Sequence, residues 1–152
     1  MANRDQGSNS GMAPGSRRLA GVLLLFIPTV AFGGTSLLTM IVNDPAYLEN
    51  ELRRDLWRAG HAHAGVLLVL SLVVLRYVDE ANLSTAWLRV ARNGVPVAAI
   101  LMPAAFFLSV LSSDATEPNA LVNLAYVGAV SLGAGVITLG IGLLRDGHGR
   151  TE

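Results

Sequence analysis

The chain has 152 residues, of which 52% are hydrophobic and only 14% are charged, and its formal net charge is zero. Average soluble domains carry about 25% charged residues, so this composition favours a protein embedded in lipid. The neutral charge balance gives no support for nucleic-acid binding, and the lack of cysteine excludes disulfides, iron–sulfur clusters and cysteine-bound zinc.

The amino-terminal part of the chain divides into a polar tail and an apolar run. Residues 1–18 are predicted to be a disordered tail, because Gly, Ser, Asn and Pro dominate and little can be buried. Residues 19–42 carry no charge and exceed the roughly 20 residues that span a bilayer. A cleaved signal peptide ending at "AFG" is the alternative. The apolar run continues through "TSLLTMIV", which favours an anchored helix.

A polar loop at residues 43–58 follows the first span. Its second half places apolar residues at helical spacing among charges, which predicts a short amphipathic helix lying on the membrane surface. Trp57 would then sit at the depth of the lipid headgroups. The apolar residues of this predicted helix are Leu48, Leu52, Leu56 and Trp57.

Three further apolar runs complete the predicted fold. Each is long enough to cross a bilayer, and polar turns separate them. The sequence therefore predicts an all-α protein, a four-helix transmembrane bundle formed by one membrane domain with a short polar tail after it. The further spans are predicted at about residues 59–78, 94–112 and 120–144, the membrane domain at 19–144 and the tail at 145–152.

The arginines predict how the bundle lies in the membrane. With both termini in the cytoplasm, eight arginines lie inside, and only Arg53, Arg54 and Arg58 lie outside. Cytoplasmic loops of membrane proteins carry the excess of basic residues, so this orientation is favoured. All eleven basic residues are arginine, which is typical of a GC-rich bacterial genome. Together with the predicted spans, this leads us to expect a multi-pass protein of a bacterial plasma membrane.

Glycines recur every seven residues in the fourth span, in two series. A seven-residue step returns to nearly the same face of a helix, so each series forms a smooth groove, and the two grooves lie about 140° apart. Small residues allow neighbouring helices in lipid to approach closely. We therefore expect two other spans to clasp this helix; the alternative is that one groove forms a homo-oligomer or partner contact. The series are Gly128, Gly135 and Gly142, and Gly133, Gly140 and Gly147.

Polar residues concentrate in the outer half of the predicted bundle. They could form a shallow pocket open to water, or they could simply make hydrogen bonds between helices. Both interpretations stay open at the level of sequence. The residues are Thr35, Ser36, Thr39, His61, His63, Ser109, Ser112, Asn119, Asn123 and Tyr126.

The motif "GHAH" holds His61 and His63 at the start of the second span. Residues two apart on a regular helix point about 200° from each other, so both histidines could bind one ion only if Gly60 and Gly65 kept the turn extended. Imidazole with carboxylate would suit zinc, and imidazole with thioether would suit copper. Ordinary interfacial histidines and a proton relay are the alternatives. The candidate helper ligands are Met40, Asp44, Glu51 and Asp114, with Glu49, Asp55 and Glu117 nearby in the loops.

Other functions find less support in the sequence. Haem ligation between two helices would need a second histidine-bearing helix, and His148 lies in the cytoplasmic tail. Hydrolase, P-loop and dinucleotide-binding motifs are absent, so we expect no enzymatic activity. A small transporter or channel component is a weaker alternative, since no predicted span carries a buried charge.

The stretches "RAGHAHAGVLLVLSLV", "ATEPN" and "LAYVGAVSLGAGV" resemble small four-span membrane proteins of GC-rich, actinobacterial-type bacteria. That resemblance implies the four-span fold and no particular activity. The sequence thus predicts a structural or accessory membrane protein with an outer polar pocket. A metal- or haem-binding protein that uses the histidine pair is the alternative.

Overall fold

A computed structural model describes residues 11–146, and this part of the chain is entirely helical apart from turns. The all-α prediction is confirmed. Two 3₁₀ turns, Val78–Glu80 and Ala120–Asn123, lie between the longer helices. The α-helices in chain order are α1 (Pro14–Asn43), α2 (Pro45–Glu49), α3 (Glu51–Tyr77), α4 (Thr85–Ser109) and α5 (Leu124–Asp146).

The part of the chain that the structure describes holds four long helices that are apolar enough to cross a membrane. Their outward faces are apolar as well. Leu25, Phe32, Ile100 and Val130 each expose 70% or more of their surface. A soluble protein rarely presents so continuous an apolar exterior, because water would have to surround it. The backbone groups of long helices are satisfied internally, as lipid requires. These are the features of a multi-pass membrane protein.

The four long helices run alternately up and down, and their main contacts follow chain order: α1 packs on α3, α3 on α4, and α4 on α5. The core lies mainly between α3 and α4, where Leu75, Val95 and Ala98 are fully buried. We call the end that holds α2 and residues 110–123 the histidine end. The opposite end, where α1 begins and α5 ends, is the terminal end.

Several helix bounds differ from those predicted. Helix α1 begins at Pro14, so residues 14–18 are helical rather than part of the tail; residues 1–10 lie outside the described part. Pro14 is favoured at a first helical position, because its fixed φ suits the helix and its missing N–H would be unpaired there. Helix α4 begins at Thr85, nine residues before the predicted span, since Trp87 to Asn93 continue the helix.

The predicted amphipathic surface helix is also different. Only residues 45–49 form a separate short helix, and residues 51–58 are the first turns of α3. The break falls at Asn50, whose side-chain oxygen accepts from the Arg53 amide at 3.0 Å and so caps α3. The side-chain amide nitrogen of Asn50, Nδ2, donates to the backbone carbonyls of Ser113 and Ala115, both at 3.0 Å. These bonds join the break between α2 and α3 to the loop that follows α4.

An ionic cluster joins three elements at the terminal end. Asp79 accepts hydrogen bonds from the Ala13 amide at 2.9 Å, the Ser16 hydroxyl at 3.1 Å and an Arg92 guanidinium nitrogen at 3.0 Å. Ala13 has no capping side chain of its own, so a carboxylate distant in sequence caps the positive end of α1. The cluster holds α1 against the turn between α3 and α4.

Among residues 11–146, helix α5 is packed against a neighbour on one side only, which corrects the expectation of two clasped grooves. A Cβ placed on Gly135 would lie 3.0 Å from the Gly94 Cα of α4, and one on Gly142 would lie 2.7 Å from Leu83. Gly128 meets Met102 in the same way. Within residues 11–146, nothing lies within 4 Å of a Cβ at Gly133 or Gly140, and Gly147 is outside that range.

Candidate functional site

The "GHAH" turn is a regular part of α3, which runs unbroken from Glu51 to Tyr77. His61 and His63 therefore point to opposite sides of the helix, and the extended turn that would let them share an ion does not form. Gly60 serves a different purpose, since a Cβ there would lie 3.0 Å from the Phe107 ring of α4. The glycine allows a close approach of α3 and α4 while the backbone stays helical.

His61 faces α1 at the glycine pair. A Cβ on Gly34 would lie 3.0 Å from its Nε2 atom, and one on Gly33 would lie 3.7 Å from its Nδ1 atom. The imidazole thus occupies the space that two missing side chains leave on α1. The glycine pair Gly33–Gly34 of α1 is therefore the packing site of this imidazole.

An open groove of ≈580 Å³ surrounds this contact, which we call the His61 groove. Helix α1 contributes an apolar wall, and α3 contributes an imidazole, a carboxylate and a guanidinium. Asp55 and Arg58 therefore give the α3 side both signs of charge within two turns of His61. The lining residues are Gly34, Leu37, Leu38 and Ile41 of α1, and Asp55, Arg58, Ala59, His61 and Ala62 of α3.

His63 has a structural environment on the other face of α3. Its Nδ1 donates to the Ala59 carbonyl oxygen of the preceding turn at 2.8 Å. Its ring packs on Phe106 of α4, with 5.1 Å between the ring centroids. One ring nitrogen is thereby committed to the helix backbone.

The candidate helper ligands are not brought together with the two histidines. Asp44 caps α2 by accepting from the Tyr47 amide at 3.2 Å, and Glu51 lies near Arg54, 3.8 Å away. Asp114 accepts a hydrogen bond from the Ser112 hydroxyl, which lowers the pKa of its carboxyl below the ordinary value. Met40 does not line the His61 groove. Among residues 11–146, no group of three or more histidine, aspartate or glutamate side chains could hold a metal ion.

An aromatic cluster lies at the same end, between α2, α3 and α4. The Trp57 ring centroid lies 5.9 Å from those of Tyr47 and Phe107, and the Arg53 guanidinium stacks over Trp57 at 4.2 Å. Trp57 is thus partly buried against protein. Tyr47 is fully buried, and this burial raises the pKa of its phenol above the ordinary value, although the charges of Arg53 and nearby arginines act in the opposite direction.

Most of the predicted outer polar layer is neither a pocket nor a set of contacts between helices. The hydroxyls of Thr35 and Ser36 donate to the Phe32 carbonyl, at 2.8 and 2.9 Å, and Ser109 donates to Phe106 in the same way. Short polar side chains in a helix commonly bond to carbonyls of the preceding turn. A hydrogen bond that does join two long helices lies elsewhere, from the Ser131 hydroxyl of α5 to the Gly94 carbonyl of α4 at 2.9 Å.

Sequence reasoning missed the ionic cluster of Asp79, Ser16 and Arg92. It placed Asp79 and Arg92 in one polar turn, where charges ordinarily face water. The signal that could have revealed the pair is the position of Arg92, which lies on the buried side of an apolar helix that begins at Thr85. A charge at such a position requires a partner.

Comparison of the chain with protein-family models, with curated proteins and with solved structures finds no match.

Proposed function

We propose that this chain is a non-enzymatic accessory protein of a bacterial plasma membrane, with both termini in the cytoplasm. In this orientation the His61 groove opens toward the outer face. Its function is to bind a small amphipathic ligand there, with His61 as the main recognition residue. The observation that carries the proposal is the seating of His61 against Gly33–Gly34 within the ≈580 Å³ groove.

The two walls of the groove suit different parts of such a ligand. Leu37, Leu38 and Ile41 form an apolar surface on α1, whereas Asp55, Arg58 and His61 present polar groups from α3. Ligand sites are mostly apolar with a few placed polar groups that fix orientation. An apolar body with a polar or charged tip would satisfy both walls.

The lining chemistry supports binding rather than covalent catalysis. The described residues that line the groove include one imidazole, but no serine or threonine hydroxyl that it could activate. Nucleophilic catalysis requires the nucleophile and its base within hydrogen-bond reach. The polar groups of the groove can therefore orient a ligand.

Metal binding is the alternative function. Within the groove His61 and Asp55 supply two protein ligands at most, whereas a catalytic zinc site normally has three. A metal there would need further ligands from a second molecule. The resemblance to four-span proteins of actinobacterial type supports neither function over the other.

The test compares variants of two histidines that lie two residues apart on the same helix, α3. Protein purified in mild detergent is analysed by native mass spectrometry, visible absorption and elemental analysis, as wild type, His61→Ala and His63→Ala. We expect a co-purifying compound of a few hundred daltons that His61→Ala loses and His63→Ala retains. The absence of any adduct, or its equal loss in both variants, would contradict the proposal.

Two glycine variants sharpen the same experiment. Gly34→Ala brings a methyl group to 3.0 Å from the His61 imidazole and should displace it, whereas Gly33→Ala makes an ordinary contact at 3.7 Å. Only Gly34→Ala should weaken retention of the compound. A stoichiometric metal or a Soret band that His61→Ala abolishes would instead favour the metal or haem alternative.

A further inference from the structure

We propose that a second groove, at the terminal half of the bundle, binds one acyl chain of an anionic phospholipid, and that Arg89 binds the lipid phosphate. This groove runs between α1 and α4 across the surface of α3, and we call it the α1–α4 groove. Its residues are distinct from those of the His61 groove. Leu19, Phe26 and Val30 line it from α1, Leu68 from α3, and Pro96 and Ile100 from α4.

The dimensions of the groove suit a single hydrocarbon chain. Its volume is ≈350 Å³, and its lining on α1 extends from Leu19 to Val30, which is about 16 Å of helix at 1.5 Å per residue. The mean cross-section is therefore about 20 Å². An inserted α-helix about 10 Å across would have a cross-section of about 80 Å², so a single hydrocarbon chain fits the groove better than a helix of a second copy does.

The polarity of the groove changes along its length. Among the described residues that line the groove, only Asn93 is polar, and it lies toward the terminal end, two turns after the start of α4. The steps from Arg89 to Asn93, Pro96 and Ile100 follow the four-, seven- and eleven-residue spacing of one helix face. Arg89 therefore stands in line with the groove, one turn beyond Asn93, whose side chain donates to the Arg89 carbonyl at 2.9 Å.

Charge at this end complements an anionic headgroup. Arg76 is paired with Glu80 and Arg92 with Asp79. Arg89 is exposed and has no ion-pair partner within the described range, and the same holds for Arg17 and Arg18 at the start of α1, so Arg89 is distinguished by its position in line with the groove. A guanidinium can bind two phosphate oxygens at once. Arginine side chains at the end of a span can also extend toward the headgroups while their stems lie on apolar surface. A phosphate next to Arg89 would place its acyl chain at the mouth of the groove.

A segment of the chain itself is a poor occupant. Residues 1–10 contain Met1 and Ala2 as their only aliphatic side chains, and polar or charged residues follow. Burial of such a segment against Phe26 and Ile100 would remove polar groups from water without compensating hydrogen bonds. A lipid tail has no such groups.

The experiment measures retained lipid by native mass spectrometry of the full chain in mild detergent. Phosphatidylglycerol and phosphatidylcholine with identical acyl chains are added in turn to wild type and four variants. Arg89→Gln removes the phosphate ligand, and Arg145→Gln is its control at the same end of the bundle. Val22→Trp fills the groove, and Val127→Trp is its control on the exposed face of α5.

We expect one phosphatidylglycerol per chain, retained about fivefold more strongly than phosphatidylcholine, which is the factor for one basic residue at an anionic surface. Arg89→Gln should abolish this preference, Val22→Trp should abolish binding of both lipids, and the two control variants should match wild type. Glycerol phosphate without acyl chains should not compete. Equal retention of both lipids, an equal effect of Arg145→Gln, or undiminished binding by folded Val22→Trp protein would overturn the proposal.

Discussion

Tyr47 is fully buried at the histidine end, yet its hydroxyl has no hydrogen-bond partner within residues 11–146. An unpartnered buried polar group costs about 1–3 kcal/mol, so we predict that Tyr47→Phe leaves the free energy of unfolding unchanged or raises it. Tyr47→Ala should instead lower it by about 3–5 kcal/mol, because the contact with Trp57 is lost and a cavity remains. Unfolding in detergent, followed by circular dichroism, measures both.

The raised pKa of Tyr47 gives that prediction a dependence on pH. Between the unfolded pKa of about 10 and the higher folded value, the folded state holds the phenolic proton more tightly. The contribution of Tyr47 to stability is therefore complete below pH of about 10 and is lost as pH rises through the folded pKa. Tyr47→Phe should lack this component of the alkaline decline. A decline of equal size in the variant would show that other groups cause it.

The two histidines of α3 show how much of a single residue's surroundings can be predicted from the sequence. The sequence indicates that His61 and His63 oppose each other on a regular helix, and the structure has that arrangement. It could not indicate which one faces the glycine pair of α1, because that depends on how two distant helix faces pack. Helical periodicity depends on neighbouring residues in the sequence, whereas the contact of His61 with the glycine pair depends on tertiary packing.

At the scale of elements, the contact of α4 with α5 depends on two glycines that face each other. A Cβ on Gly94 would lie 2.7 Å from both the Gly135 Cα and the Ser131 carbonyl oxygen, and these backbone atoms cannot rotate away. We predict that Gly94→Ala lowers the free energy of unfolding by about 1–3 kcal/mol, the usual cost of overpacking. The same unfolding measurement in detergent detects this loss.

Gly133→Ala is the matched control for that variant, because nothing in the described structure lies within 4 Å of its added methyl group. It should be neutral or slightly stabilising, since alanine favours a helix over glycine by about 0.5–1 kcal/mol. Equal destabilisation by both variants would mean that the Gly133 face is also packed, as in an oligomer. The seven-residue repeat identifies both faces of α5, but repetition alone does not say which face a neighbour covers.

The ionic cluster at the terminal end links α1 to the turn between α3 and α4, so its loss should act on three elements together. Asp79→Ala removes the cap of α1 and leaves the half-buried Arg92 guanidinium without its partner. We predict a loss of about 2 kcal/mol, near the value of hydrogen bonds to charged groups. Combined with Arg92→Ala in a double-mutant cycle, it should show a coupling energy above 0.5 kcal/mol.

The control is the exposed pair of Arg76 and Glu80 on the same segment, whose side chains remain more than half accessible. Exposed ion pairs contribute little, because water and side-chain entropy offset the attraction. Arg76→Ala should therefore leave unfolding nearly unchanged. A coupling energy of Asp79 and Arg92 that is no larger than the change in unfolding free energy caused by Arg76→Ala would contradict this prediction. That result would mean that the ionic cluster is a consequence of the fold and does not stabilise it.

At the scale of the whole molecule, hydropathy predicts four spans and their order, because the length and the hydropathy of each apolar run depend only on consecutive residues. The ends of the spans could not be predicted as well. The sequence predicts a polar turn at Trp87 to Asn93, whereas in the structure these residues belong to α4. The helix tolerates them because Asp79 pairs with the charge of Arg92 and the remaining polar groups face outward. The polar residues at the histidine end read as one layer, yet most bond to their own helices.

The placement of the loops makes the proposed orientation testable with single cysteines, since the native chain has none. Ala46 and Thr116 are exposed at the histidine end, and Ala86 is exposed at the terminal end. If the arginine-rich end faces the cytoplasm, a membrane-impermeant maleimide should label Ala46→Cys and Thr116→Cys in intact cells. Ala86→Cys should react only after the membrane is opened. Labelling of Ala86→Cys alone in intact cells would reverse the orientation, and the His61 groove would then open toward the cytoplasm.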